Sequence, residues 1–155
     1  MLFVGINPGL ASAAAGHHFA RPGNRFWKAL EGAGFTGRVL AASQDARLLE
    51  FGLGITNLVD RATAGAAGLT KDELIAGGRK VAAKARRCRP QCMAFLGITA
   101  YRTAFGFRDA VVGPRPERIG GASVWVLPNP SGLNAHYQLA DLIAAFADLR
   151  ATLGQ

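Results

Sequence analysis

Near the start of the chain, Gly5-Ile6-Asn7-Pro8-Gly9 places one carboxamide in a tight Gly/Pro loop directly after an apolar run. A carboxamide takes up no proton near neutral pH, so Asn7 is no strong base, but its carbonyl can accept a hydrogen bond from a water and aim it. The competing role is to hold its own turn through an Asx hydrogen bond. In Gly16-His17-His18-Phe19, the ring of Phe19 lies outside any periodic segment. It can stack on a planar base or plug the core. His17 and His18 are acid–base groups, phosphate contacts or plain loop residues. Toward the other end, Pro128-Asn129-Pro130-Ser131-Gly132-Leu133-Asn134 puts an apolar side chain at a Gly-flexed tip. Leu133 is either a wedge between stacked bases or a leucine folded back onto the domain. Ser131 beside it is a helix cap or a phosphate contact.

Other chemistries find little support. Gly5 to Gly9 lacks the G-x-G-x-x-G spacing and the Lys-Ser/Thr of a P-loop, and there is no G-x-S-x-G elbow. The carboxylates Asp60, Asp72, Glu73 and Asp141 are scattered with no acid–base spacing, and Asp60-Arg61 reads as an ion pair supporting a loop. Cys88 and Cys92, at C-x3-C with the histidines elsewhere, form no zinc or iron–sulfur set. No metal and no cofactor are expected.

These residues need a scaffold. The 155 residues suit one domain, 1–155, and half are hydrophobic with 18% charged, enough for a packed core. Eighteen Lys and Arg against ten Asp and Glu give +8, which suits a polyanion such as nucleic acid or an anionic membrane surface. No apolar run reaches the roughly 18–20 residues that span a bilayer, and the opening Met1-Leu2-Phe3-Val4 lacks a basic lead or cleavage signal. The expectation is a soluble intracellular protein.

Leu2 to Ile6 reads as a buried strand ended by Asn-Pro-Gly. Termini are normally peripheral, so an earlier natural start, with a lead-in segment before Met1, is expected. Residues 11–23 read as a long ordered loop. Asn24 caps a helix through Ala33, a short helix fits Gln44 to Phe51, and Gly54 to Val59 reads as a strand. Thr70 and Glu73 form a capping box for a helix to about Arg87. Its inward stripe is Leu74, Gly78, Val81 and Ala85, and its solvated face is Arg79, Lys80, Lys84, Arg86 and Arg87. Cys92 to Leu96 is a strand, and Thr99 starts a short helix containing Tyr101 and Phe105. Gly106 to Gly121 reads as loop, Ser123 to Leu127 as the fourth strand, and about Tyr137 to Leu153 as a closing helix. Alternation of this kind predicts an α/β fold, a three-layer α/β/α sandwich on a mainly parallel four-stranded sheet. Ligands in such folds sit beyond the carboxyl ends of the strands, which puts the loops 7–23 and 128–134 on one rim.

The segments Gly5-Ile6-Asn7-Pro8-Gly9-Leu10, Gly16-His17-His18-Phe19, Pro22-Gly23-Asn24-Arg25-Phe26-Trp27-Lys28, Gly54-Ile55-Thr56-Asn57-Leu58-Val59-Asp60-Arg61, Gly77-Gly78-Arg79 and Leu127-Pro128-Asn129-Pro130-Ser131-Gly132-Leu133 occur in order over nearly the whole chain. Together they resemble the mismatch-specific uracil/thymine-DNA glycosylases of the uracil-DNA glycosylase superfamily. The resemblance implies a monofunctional base-excision repair enzyme with no metal or redox cofactor. It flips uracil out of duplex DNA and leaves an abasic site, with thymine and alkylated or etheno-cytosine opposite guanine left open as further substrates. Asn7 would position the water attacking C1′, and Phe19 would stack on the flipped base. Main-chain groups of Ile6 and Phe19 would meet the pyrimidine edge, with Gly9, Ser12 and Asn57 lining the pocket. Leu133 would fill the hole in the duplex. Gly132 and its neighbours, Asn129 and Asn134 among them, would contact the widowed guanine, and His18 and Ser131 would lie near phosphates. The partner implied is double-stranded DNA with G·U or related mismatches, met by a monomer in the cytoplasm, at the nucleoid in a bacterium.

Two departures stand out. Where the family commonly has Arg after the small residue following the wedge, this chain has Ala135 and then His136. Gly-His-His resembles the thymine-removing branch, whereas Asn-Pro-Ser-Gly-Leu resembles the bacterial uracil branch. The wedge and the basic charge also suit a catalytically weak binder of mismatched or abasic DNA, and the base pocket suits a nucleoside-processing enzyme, which has no need of a wedge.

Overall fold

The computed structural model describes residues 1–154. Side chains of a strand alternate between its two faces, and here both faces are apolar. Phe3 packs on one side with Phe26, Leu30 and Phe146, and the next residue, Val4, packs on the other with Val81 and Tyr101. The elements run β1 (Leu2–Gly5), α1 (Leu10–Ala15), α2 (Phe26–Gly32), a 3-10 stretch (Ala42–Phe51), β2 (Gly54–Asn57), a 3-10 turn (Ala66–Gly68), α3 (Lys71–Cys88), β3 (Cys92–Leu96), α4 (Ile98–Phe105), β4 (Gly113–Ile119), β5 (Ala122–Leu127) and α5 (Leu139–Thr152). The sheet order is β2-β1-β3-β5-β4, parallel except for β4, which runs antiparallel to β5. Residues of α2, α5 and the longer 3-10 stretch cover the Phe3 face, and residues of α3 and α4 cover the Val4 face. The result is the expected three-layer sandwich.

The sheet has five strands, one more than the apolar runs predict. The extra one, β4, lies in the stretch read as loop, and its sequence GPRPERI has no hydrophobic run to announce it. Pro114 and Pro116 lack an N–H, which restricts such a strand to an edge. Arg115 and Glu117 pair at 2.9 Å on it, and the hydroxyl of the buried Tyr101 donates to the same Glu117. A charged, proline-bearing edge resists pairing with another sheet.

Residues 10–15 are helical where a loop was expected. Four of the six are alanine, the best helix former, but six residues are too short to display an apolar period, and Gly16 ends the turn at φ 72°. The other boundaries shift by a few residues. α2 begins at Phe26, whose N–H bonds to Asn24 Oδ1 at 2.9 Å, and β2 stops at Asn57. Residues 42–51 form a 3-10 stretch broken at Gln44.

The capping box of α3 forms as predicted. Thr70 Oγ1 accepts from the Glu73 N–H at 3.1 Å, and Glu73 Oε2 accepts from the Thr70 N–H at 2.8 Å. One residue leaves the expected solvated face: Lys84 Nζ donates to Thr56 Oγ1 on β2 at 2.6 Å. Helix α3 also lies so close to its neighbours that a Cβ on Gly77 would fall 2.1 Å from the Leu58 carbonyl oxygen. Alanine has an intrinsic helix advantage of about 1 kcal/mol over glycine, but the backbone overlap opposes it with a typical overpacking cost of about 1–3 kcal/mol. Gly77→Ala is therefore expected to lower the urea midpoint of unfolding. A midpoint at or above that of the parent contradicts the close approach.

Candidate functional site

The carboxyl ends of β1, β2, β3 and β5 open onto one rim. The loops leaving them enclose a cleft of about 1010 Å³. Ile6, Asn7, Gly9, Ser12, His18, Phe19, Asn57, Asn129, Ser131, Leu133 and Asn134 all line it, which brings together segments more than 100 positions apart in the chain. Gly132 does not line the cleft. It packs behind the loop, where a Cβ would fall 2.7 Å from the carbonyl oxygen of Gly23. None of the lining residues is Asp, Glu, Lys or Cys, so Arg21 is the one permanently charged side chain of the lining, beside the histidines 17, 18 and 136.

Asn7 is held from outside its own turn. Its Nδ2 donates to the Arg61 carbonyl at 2.9 Å and to Thr63 Oγ1 at 2.8 Å, and the hydroxyl of buried Thr63 donates onward to the Gly65 carbonyl at 2.7 Å. A carbonyl only accepts, so this geometry fixes which end of the amide is nitrogen. Oδ1 has no partner among the described residues. Arg61 is itself clamped: Nε and Nη2 meet the Glu73 carboxylate at 2.6 and 3.0 Å, and Nη2 reaches the Gly68 carbonyl at 2.9 Å. The expected Asp60–Arg61 pair is thus replaced by Arg61–Glu73, because Glu73 is already fixed at the start of α3 while Asp60 is exposed.

Beside Asn7, the missing side chain of Gly5 makes room for the pocket. A Cβ there would lie 2.5 Å from Asn57 Oδ1 and 3.3 Å from Phe19 Cζ. Phe19 has φ 52°, a left-handed backbone that bulky residues rarely adopt, and its ring packs 4.3 Å from that of Phe26. Ser12 is buried and its Oγ accepts from the Ala20 N–H at 3.0 Å, tying the histidine loop down. Ile6 lines the wall, its carbonyl accepting from the Val59 N–H at 2.9 Å. Gly9 starts α1 and bridges to Thr63.

The histidines differ. His17 Nδ1 and the His18 N–H both meet Asp45, at 3.2 and 3.0 Å. Burial pushes the Asp45 carboxyl up, but the His18 N–H and His17 ring outweigh it and hold the group below its ordinary value. Burial pushes the His18 imidazole below its ordinary value and so favours the neutral ring, which makes a phosphate contact from it a neutral hydrogen bond.

In the second loop Leu133 stands 67% exposed and is not folded back onto the domain. Asn129 Oδ1 accepts from the Ser131 N–H at 3.0 Å, Asn134 Nδ2 donates to the Asn129 carbonyl at 3.0 Å, and Ser131 Oγ accepts from the Leu133 N–H at 3.2 Å. Arg25 reaches into this loop from the start of α2. Thr63, Arg25 and Asp45 are site residues that sequence reasoning leaves without a role, since each acts across 27 positions or more. Nothing in local pattern distinguishes them.

The family model for the uracil DNA glycosylase superfamily matches residues 1–150. The chain belongs to that superfamily. Membership supports DNA glycosylase activity on uracil in DNA, a hydrolysis of base-excision repair, with DNA as the partner. No helix of the described residues is long and apolar enough to cross a membrane. Among the same residues, no group of three or more His, Cys, Asp or Glu is placed to hold a metal ion.

In this superfamily member the chain of contacts behind Asn7 ends at a titratable group. Hydrogen bonds from Arg61, then from the Thr70 N–H, hold the Glu73 carboxyl down to about 2 against an ordinary 4.5. A depressed acid stabilises the fold above its unfolded value and loses that contribution as the pH falls through its folded one. Glu73→Gln is therefore expected to lower the urea midpoint at pH 7, with the gap to the parent closing as the pH falls from 4.5 toward about 2. A gap that stays constant over that window contradicts the clamp.

Proposed function

We propose that the protein is a monofunctional, mismatch-specific uracil-DNA glycosylase. It flips uracil opposite guanine into the cleft, hydrolyses the N-glycosidic bond and leaves an abasic site. The observation that carries this reading is the Asn7 amide: both N–H groups are tied, and its unpartnered Oδ1 belongs to a cleft whose lining has no carboxylate. Such an oxygen can hold a water by accepting its hydrogen, but it cannot take the proton away before attack. Bond breaking then runs ahead of water attack, and the charge on the departing base must be met by fixed dipoles. In this reading the Asn57 amide and the main chain of Ile6 and Phe19 meet that edge, and the Phe19 ring stacks on the base; all three line the cleft. Chemistry of this kind favours good leaving groups and easily unpaired bases, which suits uracil opposite guanine.

Thymine and alkylated or etheno-cytosine opposite guanine are further substrates of the same pocket, for which about 1010 Å³ leaves room. No lysine lines the cleft, so the amine needed for a Schiff base with the abasic sugar is not at hand, in keeping with a monofunctional enzyme. Leu133 fills the vacated position in the duplex. Asn129, Ser131, Gly132 and Asn134 shape the loop that faces the widowed guanine, and His18 supplies a neutral phosphate contact.

The test is single-turnover excision from a labelled duplex with one G·U pair, read by alkaline cleavage of abasic sites. Asn7→Ala is expected to lower the rate about 100-fold or more while duplex affinity is kept. Thr63→Val, which removes the acceptor that orients the amide, is expected to lower it about tenfold, the value of one net hydrogen bond. Binding without excision by the parent protein leaves a mismatch binder and overturns the proposal, as does hydrolysis of free nucleoside with none of the duplex.

A further inference from the structure

We infer that Arg25 is the positioning residue of the wedge, holding the Leu133 loop in its inserting shape before any duplex is met; this rests on the glycosylase reading above. Arg25 is half-buried at the start of α2, and its guanidinium donates to four main-chain carbonyls of the wedge loop. Nε meets Pro130 at 3.4 Å, Nη2 meets Ser131 at 2.7 Å and Asn134 at 3.2 Å, and Nη1 meets Tyr137. The Arg25 N–H adds a bond to Pro130 at 3.0 Å. Arg25 forms no ion pair among the described residues, so the planar fork carries its full charge onto carbonyl oxygens alone. Lysine, a point charge without that fork, cannot reproduce such a set.

The consequence follows from peptide planarity. In a trans peptide the C=O of one residue and the N–H of the next point in opposite directions. Carbonyls of Ser131 and Asn134 drawn inward to Arg25 therefore turn the N–H groups of Gly132 and Ala135 the other way, and neither donates within the described residues. The loop thus presents an exposed leucine flanked by two free amide donors. That is the chemistry of an apolar plug between bases with donors for phosphate or base-edge oxygens. Close packing of Gly132 on Gly23 braces the loop from the same side. Ordering entropy is met in the free protein instead of at the duplex.

The experiment compares Arg25→Ala and Arg25→Lys with the parent in two readouts. Amide hydrogen exchange of the free protein reads the loop: Ser131, Leu133 and Asn134 are expected to exchange about tenfold faster or more, while the sheet keeps its protection. Single-turnover excision reads the wedge. The half-saturating concentration for G·U duplex should rise about 10- to 100-fold, the equivalent of losing hydrogen bonds to a charged group. Excision from a single-stranded uracil oligonucleotide should fall far less than excision from the duplex, and Leu133→Ala should add little in the Arg25→Ala background. Loop amides that keep their protection overturn the assignment, as do parallel losses on duplex and single strand in a folded variant, or full function in Arg25→Lys. If the parent excises neither substrate, the glycosylase reading fails by itself. Loop exchange and G·U duplex affinity without turnover then still decide the role of Arg25.

Discussion

A carboxamide offers two donors at one end and an acceptor at the other, and its use in catalysis depends on which end meets the substrate. At Asn7 both donors are consumed by partners on the loop after β2, which leaves the oxygen for the cleft. That single orientation rests on a relay that begins far from the site. Gly77 lets α3 approach the backbone at Leu58, the capping box fixes Glu73 at the head of α3, Glu73 clamps Arg61, and the Arg61 carbonyl fixes the amide. A helix cap, ordinarily a matter of local stability, here sets the direction of a side chain on another loop.

The opposite wall of the cleft is held by a different kind of contact. There one guanidinium gathers the carbonyls of a loop whose leucine is exposed and whose Gly132 and Ala135 N–H groups have no acceptor among the described residues. The two walls share a principle: a polar group with several donors is spent on main-chain acceptors inside the protein, and what remains unspent defines the chemistry outside. Cations used in this way are no longer free for a polyanion. Arg25, Arg61, Lys84 and Arg102 all have internal acceptors, and Arg115 is paired with Glu117. The formal +8 is real, but these five of the eighteen Lys and Arg side chains serve the fold, and Arg21 is the one member of that set that lines the cleft.

Local pattern was enough for the elements whose signal is dense. The capping box at Thr70, the continuous apolar run Cys92 to Leu96 and the breakers after β1 and β5 all stand where the chain predicts them. It fails where the stabilising partner is remote. β4 has no apolar run because an edge strand needs only one neighbour and keeps its polar face in water. The helix at Leu10–Ala15 is too short for periodicity to speak. Residue types and order placed most of the candidate residues on one rim, since parallel strands deliver their following loops to the same end.

The chain by itself therefore determined the layered α/β class, the rim and the identities of Asn7, Phe19 and Leu133 as the residues worth watching. Only the tertiary structure decided that the Asn7 nitrogen is tied to Arg61 and Thr63 while its oxygen is left without a partner among the described residues, that Leu133 is exposed, and that Arg25 gathers the carbonyls of its loop. The reason is physical. Secondary structure and burial follow from short-range periodicity, whereas the orientation of one amide or one loop is set by hydrogen bonds whose two ends lie 54 to 112 positions apart, and no local pattern encodes such a pairing.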